Sequence, residues 1–167
     1  MNDAKVIDQV HTKLVGGTFN NEDGINRQTL ICYCKKYNIK TLRLVREISP
    51  YDKNAIRVEA IVFKPQDNST VVKDGSLINV KTKNLHLGYI RNNEVKCIVC
   101  GESYKNSNNV PEQCKCGSYE FRREGLATTL SMAIDRGIKY NCEVVEYTGG
   151  SDHDQKYHGV NLKIFKV

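Results

Sequence analysis

Short runs in which every second residue is apolar dominate the chain, and two stretches carry apolar residues every three to four positions instead. The first spacing marks strands with one buried face, the second helices with one apolar stripe. Residues 10–19 read as a strand that ends near Gly16 and Gly17. A helix is predicted next, with Asn26 as its N-cap and Asn38 just beyond its end. Leu30, Cys34 and Tyr37 share one face with Ile31, so Cys34 reads as a small buried hydrophobe. Residues 39–47 form a strand with Leu42 and Leu44 inward and Arg43 outward, and the strand breakers from Ser49 to Asn54 make a turn. Residues 55–63 follow as a strand with Ile56, Val58 and Val62 on one face. Residues 64–83 are polar and irregular, with Asp74-Gly75 as a hairpin turn, and 85–91 form another strand.

Beyond a cysteine-bearing segment, Leu126, Leu130, Ala133 and Ile134 mark a short helix closed by Gly137. Strands at 138–147 and 158–167 end the chain, joined by a polar loop from Thr148 to Tyr157. In the last strand Val160, Leu162 and Ile164 alternate with Asn161 and Lys163. The expected fold is mainly β with two short helices, a closed or nearly closed β-barrel. One domain spans 1–167, and residues 94–122 are an excursion from a barrel connection. No internal repeat or low-complexity tract is visible.

Composition narrows the class. Hydrophobic residues make up 40% of the 167, enough for a packed core. No apolar run approaches the roughly 20 residues that span a bilayer. The first residues, Met1 to Lys5, lack the apolar segment of a secretory signal. The expected location is cytoplasmic, with no membrane partner. The formal net charge of +6 permits a polyanionic partner such as nucleic acid, although modest basicity also serves solubility alone. Seven cysteines, an odd number, argue against a disulfide framework.

Four of those cysteines carry the sharpest signal. Cys97-x2-Cys100 is followed by thirteen residues and then Cys114-x-Cys116, with Gly101 and Gly117 after each pair. Such glycines let the backbone turn until its amides face the sulfurs. Four thiolates satisfy a tetrahedral ion and leave no open position, so the expected cofactor is one structural Zn2+ and no catalysis is assigned to it. The ion replaces a hydrophobic core in a segment too short to bury one. An iron–sulfur cluster uses the same ligands at other usual spacings. A redox pair is disfavoured because Cys97 and Cys100 do not open a helix after a strand. The segment's surface mixes signs, so Arg122 and Arg123 read either as solvated residues or as DNA contacts.

Three stretches outside this segment carry a family pattern: Leu14 to Phe19; Leu44 to Glu47 with Pro50 to Val58; and Leu87 to Arg91. A helix and then Cys142 to Gly150 follow in the same order. Together they resemble a HIRAN domain, found alone in bacteria and at the N-terminus of helicase-like transcription factors and Rad5-type remodellers. The resemblance implies an OB-like β-barrel that binds single-stranded DNA, with a pocket for a free 3′ end. By position it assigns that pocket to Phe19, Tyr51, Asp52, Tyr89 and Tyr147. This sequence departs from the family at Thr18, which replaces a basic residue, and at Asn92, which replaces a lysine that the adjacent Arg91 can stand in for.

The residues support the same surface independently. Aromatic faces stack unpaired bases, and Phe19, Tyr51, Tyr89 and Tyr147 fall at strand ends or turns. Lys40, Arg43, Arg46 and Arg57 either line a groove for phosphates or form an outward polar face. Asp52 either selects a terminal 3′-hydroxyl, repelling a continuing phosphate, or caps its own turn. His153, His158, Asp152 and Asp154 read as solvated loop residues. No phosphate loop and no nucleophile–base pair is recognisable. The expected function is a non-catalytic module that binds single-stranded DNA or DNA 3′ ends. The alternative is an interaction module that docks a DNA-processing protein through the ribbon.

Overall fold

A computed structural model of the chain describes residues 6–48, 52–61, 70–71, 77–78, 84–92, 94–104, 112–149 and 157–167. Six strands make one antiparallel sheet: β1 (Gln9–Lys13), β2 (Thr41–Glu47), β3 (Ala55–Ile61), β6 (Asn84–Tyr89), β10 (Tyr140–Thr148) and β11 (Gly159–Lys166). Their order across the sheet is β1-β11-β10-β2-β3-β6. Between β3 and β6, β4 (Thr70–Val71) pairs with β5 (Leu77–Ile78) as a separate ribbon, and the expected Asp74-Gly75 turn lies outside the described residues. Each main strand forms where alternation predicts one. Leu42, Ile56, Val58, Val160, Leu162 and Ile164 are buried, and Leu44 packs partly against them. Val62, expected on the same face, lies outside the described residues.

The two helices supply the rest of the core. Helix α1 (Arg27–Lys36) starts at Asn26, whose side-chain oxygen accepts the Gln28 amide at 2.8 Å. Leu30, Ile31, Tyr33 and Cys34 are buried beneath it. The Cys34 thiol is pushed up to about 12 by burial, as expected of a packed hydrophobe rather than a ligand. Asn38 follows the helix at φ 54°, the left-handed position that ends many helices. Helix α2 (Leu126–Asp135) buries Leu126, Ala127, Leu130 and Ala133, and the Gly137 amide closes it on the Ile134 carbonyl at 2.9 Å. Among the described residues, no helix is long and apolar enough to cross a membrane.

The expected closed barrel is not what forms. The edges β1 and β6 share no ladder, and the first strand is shorter than its predicted span of 10–19. Beyond Lys13 the chain meets β6 at one bridge, Val15 to Tyr89, through reciprocal backbone bonds of 3.0 and 2.9 Å. It then turns away at Gly16, so the contact cannot lengthen into a ladder. Even this one bridge needs a glycine opposite it. A Cβ on Gly88 would lie 2.5 Å from the Val15 carbonyl oxygen and 2.9 Å from Leu14 Cγ, inside contact distance.

The cysteine segment is a small sheet of its own, in the order β8-β7-β9: β7 (Glu94–Cys97), β8 (Ser103–Tyr104) and β9 (Phe121–Glu124). Among its described residues Val95 and Cys97 are almost wholly buried, and β9 runs directly into α2.

Gly88→Ala is therefore expected to cost about 1–3 kcal/mol, the range for forcing atoms into a filled site. Urea denaturation measures it, and an unchanged midpoint would show that the edges do not meet as described.

Candidate metal centre and the Tyr89 surface

Two tight turns place the four cysteine sulfurs. In the first, the Gly101 amide bonds to the Cys97 carbonyl at 3.0 Å; in the second, the Gly117 amide bonds to the Cys114 carbonyl at 2.9 Å. Both glycines have left-handed φ, 79° and 93°, as the spacing anticipates. The sulfurs all lie within 4.8 Å of one another, with Cys97 to Cys116 at 3.6 Å and Cys100 to Cys114 at 3.5 Å. A disulfide needs about 2.05 Å, so these are free thiols. Four sulfurs around an ion with metal–sulfur bonds of about 2.3 Å stand roughly 3.8 Å apart, which this cluster matches.

The surroundings favour thiolate at Cys97 and Cys114, whereas Cys100 and Cys116, against the lowering pull of the Glu102 and Ser118 amides, are raised by the neighbouring sulfurs and by burial. The Cys100 amide, helped by that of Val99, lowers the Cys97 thiol to about 6. The Tyr104 hydroxyl donates to Cys114 Sγ at 3.3 Å and lowers that thiol too. Tyr104 is fixed in turn by an edge-on contact with Phe121, ring centroids 6.0 Å apart. The cluster can thus hold a tetrahedral metal ion, with a second layer of amides and one phenol orienting the sulfurs. Beside it the apolar side chains of Ile98, Val99 and Tyr119 are 53%, 67% and 71% exposed.

The residues expected to bind nucleic acid divide into groups. Phe19 is 66% exposed, and both it and Tyr89 reach the space above Gly16, 3.9 and 3.6 Å from where a Cβ there would lie. Arg27, which the sequence reading did not single out, organises this corner. Its Nη1 donates to the Gly16 carbonyl at 2.8 Å and its Nε to Asn21 Oδ1 at 2.7 Å. Its guanidinium lies 5.1 Å from the centre of the Tyr89 ring. The edge of His86 meets the same ring at 4.9 Å. Burial holds the Tyr89 hydroxyl above its ordinary range, reinforced by its hydrogen bond to Glu47. Burial, with Arg27 and Arg57 close by, lowers His86 to about 4, so the ring is neutral at pH 7.

Asp52 sits on the neighbouring turn. Its Oδ1 accepts the Asn54 amide and its Oδ2 accepts Asn92 Nδ2, each at 2.9 Å. These bonds show the turn-capping arrangement. Asn92, noted in the sequence only as a departure from the family, also accepts the Thr128 amide at 3.2 Å and its hydroxyl at 3.0 Å. It ties the Asp52 turn to the start of α2. Arg91 is exposed and lines a groove between α2 and the ribbon stem with Glu94, Glu124 and Met132.

Other expected residues sit elsewhere or are engaged. Tyr51 lies outside the described residues. Tyr147 donates its hydroxyl to the Ile39 carbonyl beside Cys34. That is the far end of α1 from Arg27, about 10 Å along the axis, so Tyr147 is not gathered with Phe19 and Tyr89. Arg46 pairs with both carboxylate oxygens of Asp135 at 3.1 and 3.0 Å. Arg43 is half-exposed and donates to Glu59 at 2.9 Å, and Glu59 also pairs with Arg57 at 3.3 Å. Lys40 is exposed. Of the group at 152–158, only His158 is described; its amide bonds to Gln28 at 2.7 Å.

Comparison with protein-family models, with curated proteins and with solved structures finds no match to this chain.

Metal analysis of the purified, reduced protein is expected to give about one tetrahedrally bound ion per chain. Cys100→Ser should lose it and loosen the ribbon, while the six-stranded sheet keeps its melting transition. Well-folded protein without metal would refute the centre.

Proposed function

We propose that this chain is a non-catalytic module that binds single-stranded nucleic acid, DNA strands or their 3′ ends, with a structural zinc ion in its ribbon. One observation carries the proposal. An exposed Phe19 and a half-buried Tyr89 converge with the Arg27 guanidinium on one corner of the sheet. Exposed aromatic faces beside fixed cations are what unpaired bases stack on, at about 1–3 kcal/mol per base. An aromatic that served only packing would not stand two-thirds in solvent on a glycine turn. The resemblance to HIRAN domains assigns Phe19 and Tyr89 of this corner to one pocket, although Tyr147 of the same set lies elsewhere. An OB-like reading of the fold is supported by six antiparallel strands whose edges meet at Val15 and Tyr89. Four thiolates at tetrahedral spacing favour zinc over harder ions, and a cytoplasmic setting suits thiols that stay reduced.

A second reading is favoured by the ribbon. Ile98, Val99 and Tyr119 present apolar surface beside the cysteine cluster, which suits the docking of a DNA-processing protein. Such binding would be insensitive to salt, whereas strand binding would not.

Fluorescence anisotropy with labelled single strands tests the proposal. If three or four phosphates are contacted, log affinity should fall with log salt at a slope of about −2 to −3. Phe19→Ala should weaken binding about fivefold or more and leave the melting temperature unchanged, because the ring is exposed. Asp52→Ala should narrow the gap between free and 3′-phosphorylated ends. A flat salt response together with an inert Phe19→Ala would overturn the strand-binding reading.

A further inference from the structure

Beside Tyr89 lies a polar cavity of about 390 Å3, bounded by the 20–27 segment and by residues of β2, β3 and β6. Glu47 and Arg57 both line it. Arg57 Nε and Glu47 Oε2 face each other at 4.0 Å, close enough for an ion pair but too far for a hydrogen bond. Both atoms are buried, and neither has a hydrogen-bond partner among the described residues. Another contact holds the pair in place: Arg57 Nη2 stands 3.3 Å from Glu59. A donor and an acceptor are thus fixed side by side with the bond between them unmade, an arrangement that costs free energy unless something completes it.

The geometry specifies what completes it. One atom about 2.9 Å from each would have to accept from Nε and donate to Oε2 at once. Water and a hydroxyl both do so at a single atom, and a hydroxyl on a ligand would take the place of the water. The cavity has many times the volume of one water molecule, about 30 Å3, and Asn21, Arg27 and His86 add further polar groups to its wall. Its shared wall with the proposed stacking surface is Tyr89. A base stacked on Tyr89 would bring its own sugar next to this wall, which carries Glu22 and Asp23 as well. A deoxyribose inside a strand has no free hydroxyl, whereas a ribose carries a 2′-hydroxyl that is both donor and acceptor.

We infer that the Glu47–Arg57 pair seats a ribose hydroxyl, so that the cavity takes the sugar of a ribonucleotide and the module prefers ribose strands. This rests on the single-strand reading above but changes its sugar, making ribose the preferred strand where that reading names DNA. The test is anisotropy with three oligouridine strands of equal length, ribose, deoxyribose and 2′-O-methyl, each closed by a 3′-phosphate so that no terminal 3′-hydroxyl can take the same place. They share base and charge, so stacking and salt effects are held constant. The ribose strand is expected to bind at least about fivefold tighter than the deoxyribose strand. The 2′-O-methyl strand should bind no tighter than the deoxyribose strand, because it cannot donate to Glu47. Glu47→Gln should shrink the ribose advantage. If that variant fails to fold, the three strands on the parent protein decide the matter. Equal affinity for ribose and deoxyribose would overturn the inference and leave single-strand binding standing. A 2′-O-methyl strand that matches ribose would overturn it too, by showing that sugar shape and not the hydroxyl is read. Failure of every strand to bind would overturn both readings.

Discussion

The contact of residues 14 and 15 with Gly88 is the constraint on which the rest of this molecule depends. Two backbone bonds and one missing side chain join the edges of a sheet that otherwise stays open. The chain leaving that contact presents Phe19, delivers Arg27 to the Tyr89 ring and then enters α1. Helix α1 in turn fills the core with Leu30, Ile31 and Cys34. Without the contact, the segment that carries half of the aromatic corner has no fixed place against the strand that carries the other half. Fold and site therefore share one origin, a close approach that only glycine permits.

The cysteine segment solves a different problem. With Val95 and Cys97 almost wholly buried among its described residues, it holds its turns by the sulfur cluster and by amides aimed at those sulfurs. It is nevertheless tied to the sheet. Asn92 bonds to the Asp52 turn on one side and to the first turn of α2 on the other, and β9 leads straight into that helix. The ribbon is thus joined to the sheet through Asn92 and to α2 through β9.

What could be read from the sequence was what depends on near neighbours. Alternation revealed the strands because the side-chain period is set by the backbone alone. The helix ends at Asn26 and Gly137 and the four cysteines were legible for the same reason, since caps and knuckles span only a few residues. The open sheet was not legible, because closure depends on whether Lys13 and Tyr89, 76 residues apart, continue side by side. Side-chain partnerships at long range were hidden too. Nothing local distinguishes Arg27, which reaches back to Gly16, or Asn92, which reaches Asp52 and Thr128. In the same way Arg46 and Tyr147 looked available for a groove, but Asp135 and the Ile39 carbonyl hold them.

The edges of the sheet are joined at Val15 and Tyr89, and native-state hydrogen exchange tests that contact at those two amides. Both donate across it. They are expected to exchange only with opening of the core, at rates comparable to those of the β3 amides at Ile56 and Val58. Exchange as fast as that of an exposed loop would contradict it, and with it the placement of Phe19 and Arg27 against Tyr89.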